Sequence, residues 1–209
     1  GLDGQTFQIP LGPAPQRLPE ILSRAELVRL FAAARHAKSR TCFRLAYGTG
    51  LRLSELCRLR VEDIDSAADR RCIHVHQGKG AKDRYVPLAD DVLETLRAWW
   101  LSHRSRSWIF SAARDPALAL ESANVQRWYH TACEHAGITK RGGIHGLRHC
   151  YATHLLEAGV DIYSLSKWLG HNQVSTTTRY LHLARPDAPD CARRDPLKLL
   201  DALPSTTEH

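Results

Sequence analysis

The stretch Ile144-His145-Gly146-Leu147-Arg148-His149-Cys150-Tyr151-Ala152-Thr153-His154 decides how this chain is read. Gly142 and Gly143, directly before it, free the backbone to turn, and a helix is expected over about 145–158. His145 and Arg148 stand three apart at its start, so their side chains share one face and can reach a single phosphate. Taken alone, His-x-x-Arg is a common pattern that usually marks a solvated helix face. Its weight comes from what surrounds it.

Downstream lies Leu169-Gly170-His171, with Tyr180 nine residues further on. Upstream lie Gly48-Thr49-Gly50-Leu51-Arg52-Leu53-Ser54-Glu55-Leu56 and Gly78-Lys79-Gly80-Ala81-Lys82-Asp83. Each has an ordinary reading by itself. Arg52 could form a surface ion pair with Glu55 at i,i+3, Lys79 and Lys82 could be solvated residues of a hairpin tip, and Tyr180 could be a half-buried core residue.

Together, Arg52, Lys79, His145, Arg148, His171 and Tyr180 set four or five cationic groups around one phenol. Such a set can break and remake a phosphodiester without a metal. The diester resists attack because its anionic oxygens repel a nucleophile and its transition state gathers more charge on the equatorial oxygens. Arg52 and Arg148 answer both problems, since each guanidinium gives two parallel hydrogen bonds and stays charged. A free phenol has a pKa near ~10, so Tyr180 needs the field of those cations, or a base such as His145, to become a nucleophile. Expelling a 5′-alkoxide needs a general acid, and a lysine whose pKa is lowered by neighbouring cations suits that role. Lys79 and Lys82 are both candidates.

These boxes, in this order, resemble the tyrosine recombinase (phage integrase) family, over about residues 20–184. The resemblance implies a mainly α fold with a small antiparallel β-sheet (α+β), that of the integrase catalytic domain. It implies Arg52, Lys79, His145, Arg148, His171 and Tyr180 as catalytic residues, and Glu55 as the acidic residue supporting Arg52. His149 is their neighbour, without an assigned role. It places the catalytic lysine at Lys79, leaving Lys82 to touch backbone phosphate, and Lys82, Arg84, Lys140, Arg141 and Arg179 are the residues expected on DNA. The implied reaction joins a DNA strand to Tyr180 as a 3′-phosphotyrosyl ester, releases a 5′-hydroxyl, and lets a 5′-hydroxyl of a partner duplex reverse the step, with no cofactor, metal or ATP. The implied partner is double-stranded DNA, bound by a tetramer that is a monomer in isolation. Two other readings stand beside it. A type IB topoisomerase shares the nicking and resealing chemistry, and Thr153 to Trp168 has the apolar spacing and central glycine of a helix-turn-helix in a noncatalytic DNA-binding protein.

Composition agrees with a polyanionic partner. The net charge is +7 with a sequence pI near 9.3 over 209 residues, enough chain for one sizeable domain. No apolar run approaches the roughly 20 residues of a membrane span, and no signal peptide is recognised, so no membrane and a bacterial cytoplasmic location are expected. The six cysteines contain no Cys-x-x-Cys pair and read as reduced, mostly buried thiols. His74 with His76, and His145 with His149 and His154, are the histidine sets to weigh as metal ligands. Neither makes a paired-ligand motif, and no metal is expected.

Residues 1–19, with four prolines and three glycines, read as an extended lead-in. Family members usually carry an amino-terminal helical domain that closes around DNA. Gly1 and the absence of Met suggest an excised or processed piece. Helices are expected from Ser23, over about 39–47 ending at Gly48, after Arg52, from Asp90, and over about 121–136, 161–169 and 175–183, the last capped by Ser175 or Thr176. Residues 71–77 and 84–88 should form a hairpin with a basic tip. The tail, residues 185–209, either reaches into a neighbouring protomer or packs on its own domain.

Overall fold

In the computed structural model, which describes residues 19–76 and 83–184, the first helix is set by Ser23. Its hydroxyl accepts from the Glu26 amide at 3.2 Å while its own amide donates to the Glu26 carboxylate at 2.6 Å. That is the reciprocal cap announced by Ser-x-x-Glu. Helix α1 (Arg24–Ala33) buries Leu27 and Leu30. Helix α2 (Ala37–Thr49) is the central one and buries Cys42, Phe43, Leu45 and Ala46. It continues through the expected stop at Gly48 and closes at Gly50, whose φ is +61°. A Cβ on Gly50 would lie 2.4 Å from the Tyr151 ring, so the left-handed turn and the close approach both require glycine. Helix α3 (Leu53–Cys57) follows at once.

Three short strands, β1 (Ile64–Asp65), β2 (Cys72–Val75) and β3 (Arg84–Pro87), form an antiparallel sheet in that order. Ile73 pairs with Val86, His74 with Tyr85 and Val75 with Arg84. Alternation along the strands turns Ile73, Val75, Arg84 and Val86 inward, while Tyr85 faces solvent. The hairpin matches expectation; β1, two residues long, is too short to leave an alternation signal.

The remaining helices are α4 (Asp90–His103), α5 (Ser122–His135), α6 (His145–Glu157), α7 (Ile162–Leu169) and α8 (Ser175–Thr178). Asp161 caps α7 by accepting from the amides of Tyr163 and Ser164 at 3.0 and 2.9 Å. Helix α8 corrects two expectations. It is four residues long, and its N-cap is Val174, with no side-chain cap from Ser175 or Thr176. A run of β-branched threonines is a poor helix former, and the chain passes into turns through Tyr180 to Leu183. The main core surrounds α2, and a second cluster of Tyr151, Ala152, Leu165, Leu169 and Tyr180 fills the space between α6, α7 and the segment after α8. The site lies where the clusters meet. Among the described residues no helix is long and apolar enough to cross a membrane.

Candidate active site

Arg148, in the first turn of α6, is 3% exposed, and its guanidinium is fixed by backbone carbonyls from two other segments. It donates to the Gly50 carbonyl and to the Leu169 carbonyl, both at 2.7 Å. Those carbonyls lie at the ends of α2 and α7, so two helix termini orient one side chain. Burial first, then the nearby Arg52, lowers the Arg148 pKa to about 10, and the group stays charged at neutral pH.

Arg52 donates to Glu55 Oε1 at 2.8 Å and to the Gly170 carbonyl at 2.9 Å. Glu55 is shared. Arg84 reaches its two oxygens at 2.9 and 2.6 Å, and the Arg52 amide adds a bond at 2.8 Å. Burial works to raise the Glu55 carboxyl, but the bonds and charge of Arg84 and the bonds from Arg52 outweigh it and hold the pKa at about 2.

His171 lies between Arg148 and Thr177. Its Nε2 is 3.1 Å from Arg148 Nη2, and its Nδ1 is 2.7 Å from Thr177 Oγ1. A guanidinium can only donate, so Nε2 presents its lone pair and the proton is assigned to Nδ1, which donates to Thr177. Burial, then Arg148 and Arg52, lowers the His171 pKa to about 4. His145 reaches solvent at the cleft rim, yet partial desolvation and the charges of Arg148, Arg179 and Arg52 also lower its pKa.

Tyr180 is 1% exposed and packs in the second core cluster. Its hydroxyl lies 3.0 Å from His149 Nδ1, its ring is parallel to that of His171 at 6.3 Å, and the Arg179 guanidinium lies 5.3 Å from the ring centre. Burial, His145, and then the arginines lower the His149 pKa to about 3, so the ring is neutral. Arg52, His145, Arg148, His171, Arg179 and Tyr180 all line one cleft of about 430 Å³.

A model of the phage integrase family matches residues 20–186. The chain belongs to the phage integrase family. It is 38% identical over 184 residues to the tyrosine recombinase XerA of Thermococcus kodakarensis, covering 86% of this chain and 64% of that protein. The crystal structure of XerA recombinase superposes with a TM-score of 0.71 at 31% identity, covering 90% of this chain and 66% of that one. A crystal structure of XerH site-specific recombinase bound to palindromic difH substrate shares the fold, with a TM-score of 0.71 at 23% identity, covering 85% of this chain and 54% of that one.

Within this integrase-family fold, five of the six expected catalytic residues share the cleft, while Lys79 and Lys82 lie outside the described residues. Two residues expected on DNA have partners within the protein. Arg84, expected on DNA, lies on the inner face of β3, is 9% exposed, and bonds Glu55 and the Trp168 carbonyl. Its place opposite Val75, in step with Val86, is the alternation signal that marks it as internal. Lys140, also expected on DNA, is held by Glu26 at 2.6 Å and by the Ile21 carbonyl at 2.8 Å. Arg141 and Arg179 remain exposed. His149 gains a place the sequence left open, on the Tyr180 hydroxyl, and Thr177 was not anticipated at all. The His145, His149 and His154 set is not a ligand group, since His154 turns to the Tyr47 hydroxyl at 3.0 Å while His149 turns to Tyr180.

Proposed function

We propose that this chain is the catalytic part of a site-specific recombinase that breaks and rejoins double-stranded DNA through a 3′-phosphotyrosyl ester on Tyr180. The observation that carries this reading is the meeting of Arg52, Arg148, His145, His171 and Tyr180 in one cleft. Family membership supports it, as do the names of relatives such as XerA.

A scissile phosphate entering the cleft meets Arg52 and Arg148, already oriented by Glu55 and by the carbonyls of Gly50, Leu169 and Gly170. Each guanidinium has N–H groups beyond those the protein uses, and these neutralise the nonbridging oxygens. His171, whose Nε2 accepts from Arg148 and whose Nδ1 donates to Thr177, helps to hold the Arg148 guanidinium in place. His149, with a pKa near 3, is a weak base, so its part is to orient the phenol. His145, the base named by the sequence reading and a residue of the same cleft, takes the phenol proton as attack proceeds.

The Tyr180 oxygen attacks phosphorus, the bond to the 5′-oxygen breaks, and that oxygen leaves as a hydroxyl with a proton that the family resemblance assigns to Lys79. A 5′-hydroxyl from a partner duplex then attacks the ester and returns the phenol, so bond energy is kept without ATP. Arg141 and Arg179 are proposed as backbone contacts, a tetramer on two duplexes as the acting assembly, and the bacterial cytoplasm as its place. Replacing Tyr180 with Phe tests the reading. Strand transfer should be abolished with DNA affinity unchanged, whereas transfer by the variant at the parent's rate contradicts the assignment.

A further inference from the structure

We propose that His74, His76 and Asp83 form a binding site for a divalent transition-metal ion of the zinc class, with Asp63 orienting one of the ligands. The site lies on the side of the sheet facing away from its core, separate from the cleft that holds Tyr180. Neither the family reading nor the recombination chemistry uses it.

His74 and His76 are two apart along β2 and its end, so they point to the same face. The register pairs His74 with Tyr85 and Val75 with Arg84, which sets Asp83 beside His76. His74 Nε2 is 3.1 Å and His76 Nδ1 is 3.7 Å from the same oxygen, Asp83 Oδ2. One ligand atom from each of the three residues lies within 4.8 Å of the others. Tetrahedral zinc with bonds of about 2.0–2.1 Å separates its ligand atoms by roughly 3.4 Å. The two distances to Asp83 bracket that value, and the two histidine nitrogens lie within 4.8 Å of each other.

The second observation is Asp63. Its carboxylate is 6% exposed, Oδ2 accepts from the Arg60 amide at 2.8 Å, and Oδ1 lies 3.0 Å from His76 Nε2. That contact is not aligned as a hydrogen bond, and Oδ1 is a buried polar atom without one. A proton on Nε2, the nitrogen nearer Asp63, leaves Nδ1 as a lone pair on the Asp83 side, the tautomer a metal needs. A turn of the His76 ring onto the ion completes the bond to Asp63, giving the carboxylate–histidine–metal arrangement. Tyr85 fixes the other ligand by stacking on His74 at 4.7 Å and 17°.

An open cleft of about 560 Å³, lined by Asp63, His74 and His76, gives the ion a way in and leaves room for water in the remaining positions. The sequence pattern concealed the site because the third ligand comes from the partner side of the hairpin. Bound metal would join β2 to the residue before β3, the two points between which residues 77–82 run.

The test uses the full chain, stripped with a chelator and kept reduced. Zinc is titrated against a chromogenic chelator, and cobalt absorption reports whether nitrogen and oxygen or thiolate ligands are used. One equivalent should bind with a nitrogen–oxygen spectrum. Combined replacement His74→Ala and His76→Ala should abolish it, and Asp63→Asn should weaken it by about 10–100-fold. Circular dichroism confirms that the variants fold, and Asp83→Asn supplies an exposed replacement should Asp63→Asn unfold. Equal binding by the parent and the double histidine variant, a thiolate spectrum, or no stoichiometric uptake by the parent overturns the proposal.

Discussion

Glu55 is one carboxylate holding two guanidiniums, Arg52 in the cleft and Arg84 behind it. The side chains of Glu55 and Arg84 are 11% and 8% exposed, so removing the shared negative charge leaves desolvated cations facing each other. Replacing Glu55 with Gln should therefore destabilise the chain by about 3 kcal/mol, at the lower end for breaking a buried pair. Urea unfolding measures it, and a loss below about 1 kcal/mol would place the pair with ordinary surface bridges. The Arg52–Glu55 half was legible from i,i+3 spacing. The Arg84 half depends on a contact 29 residues apart, and its basic neighbourhood suggested DNA while its strand parity pointed inward.

At the scale of elements, the site is made by helix ends. The carbonyl of Leu169, the last residue of α7, and those of Gly50 and Gly170, which close α2 and α7, are the acceptors that aim Arg148 and Arg52. Both glycines have positive φ, and at Gly50 a methyl group would also collide with Tyr151. Gly50→Ala should cost about 2 kcal/mol or more in stability, combining left-handed strain with overpacking. Because the Gly50 carbonyl would shift, cleavage should also fall by about tenfold or more, since small misplacements at a reacting centre are costly. A variant that keeps full cleavage would show that this carbonyl does not position Arg148. The glycines were visible in sequence as breaks, and the Ser23 cap and the hairpin were legible because their signals are local. Strand β1 and the shortness of α8 were not, since a two-residue strand has no period and a threonine run carries no cap or apolar repeat.

Across the whole molecule, the cationic cleft makes stability depend on acid. His171 and His149 titrate near 4 and 3 when folded, against 6.5 as the ordinary value, and His145 is lowered too. Between those values the unfolded chain binds protons that the folded chain does not, so stability is full above about pH 6.5 and falls as pH drops toward 4. Glu55 adds its loss only below its ordinary value of 4.5, toward 2, which leaves the upper part of the window to the histidines. The urea midpoint should decline across that upper part, and His149→Gln combined with His171→Gln should flatten the decline. An unchanged slope in the double variant would contradict this assignment. The fold class and the family could be read from the ordered boxes. The resting place of Tyr180 could not, because it is set by packing between α6, α7 and the turns after α8.

The account rests on Tyr180 being the nucleophile within this cleft. Incubating the chain with a phosphorothiolate-bridged DNA duplex, whose cleaved end cannot religate, and mapping the trapped peptide by mass spectrometry tests that directly. If the isolated chain traps nothing, the same mapping is made in a chain extended by an amino-terminal DNA-clamping domain. The account predicts a single adduct on Tyr180, absent when Tyr180 is replaced by Phe. An adduct on any other residue, or none from the extended chain, would contradict it.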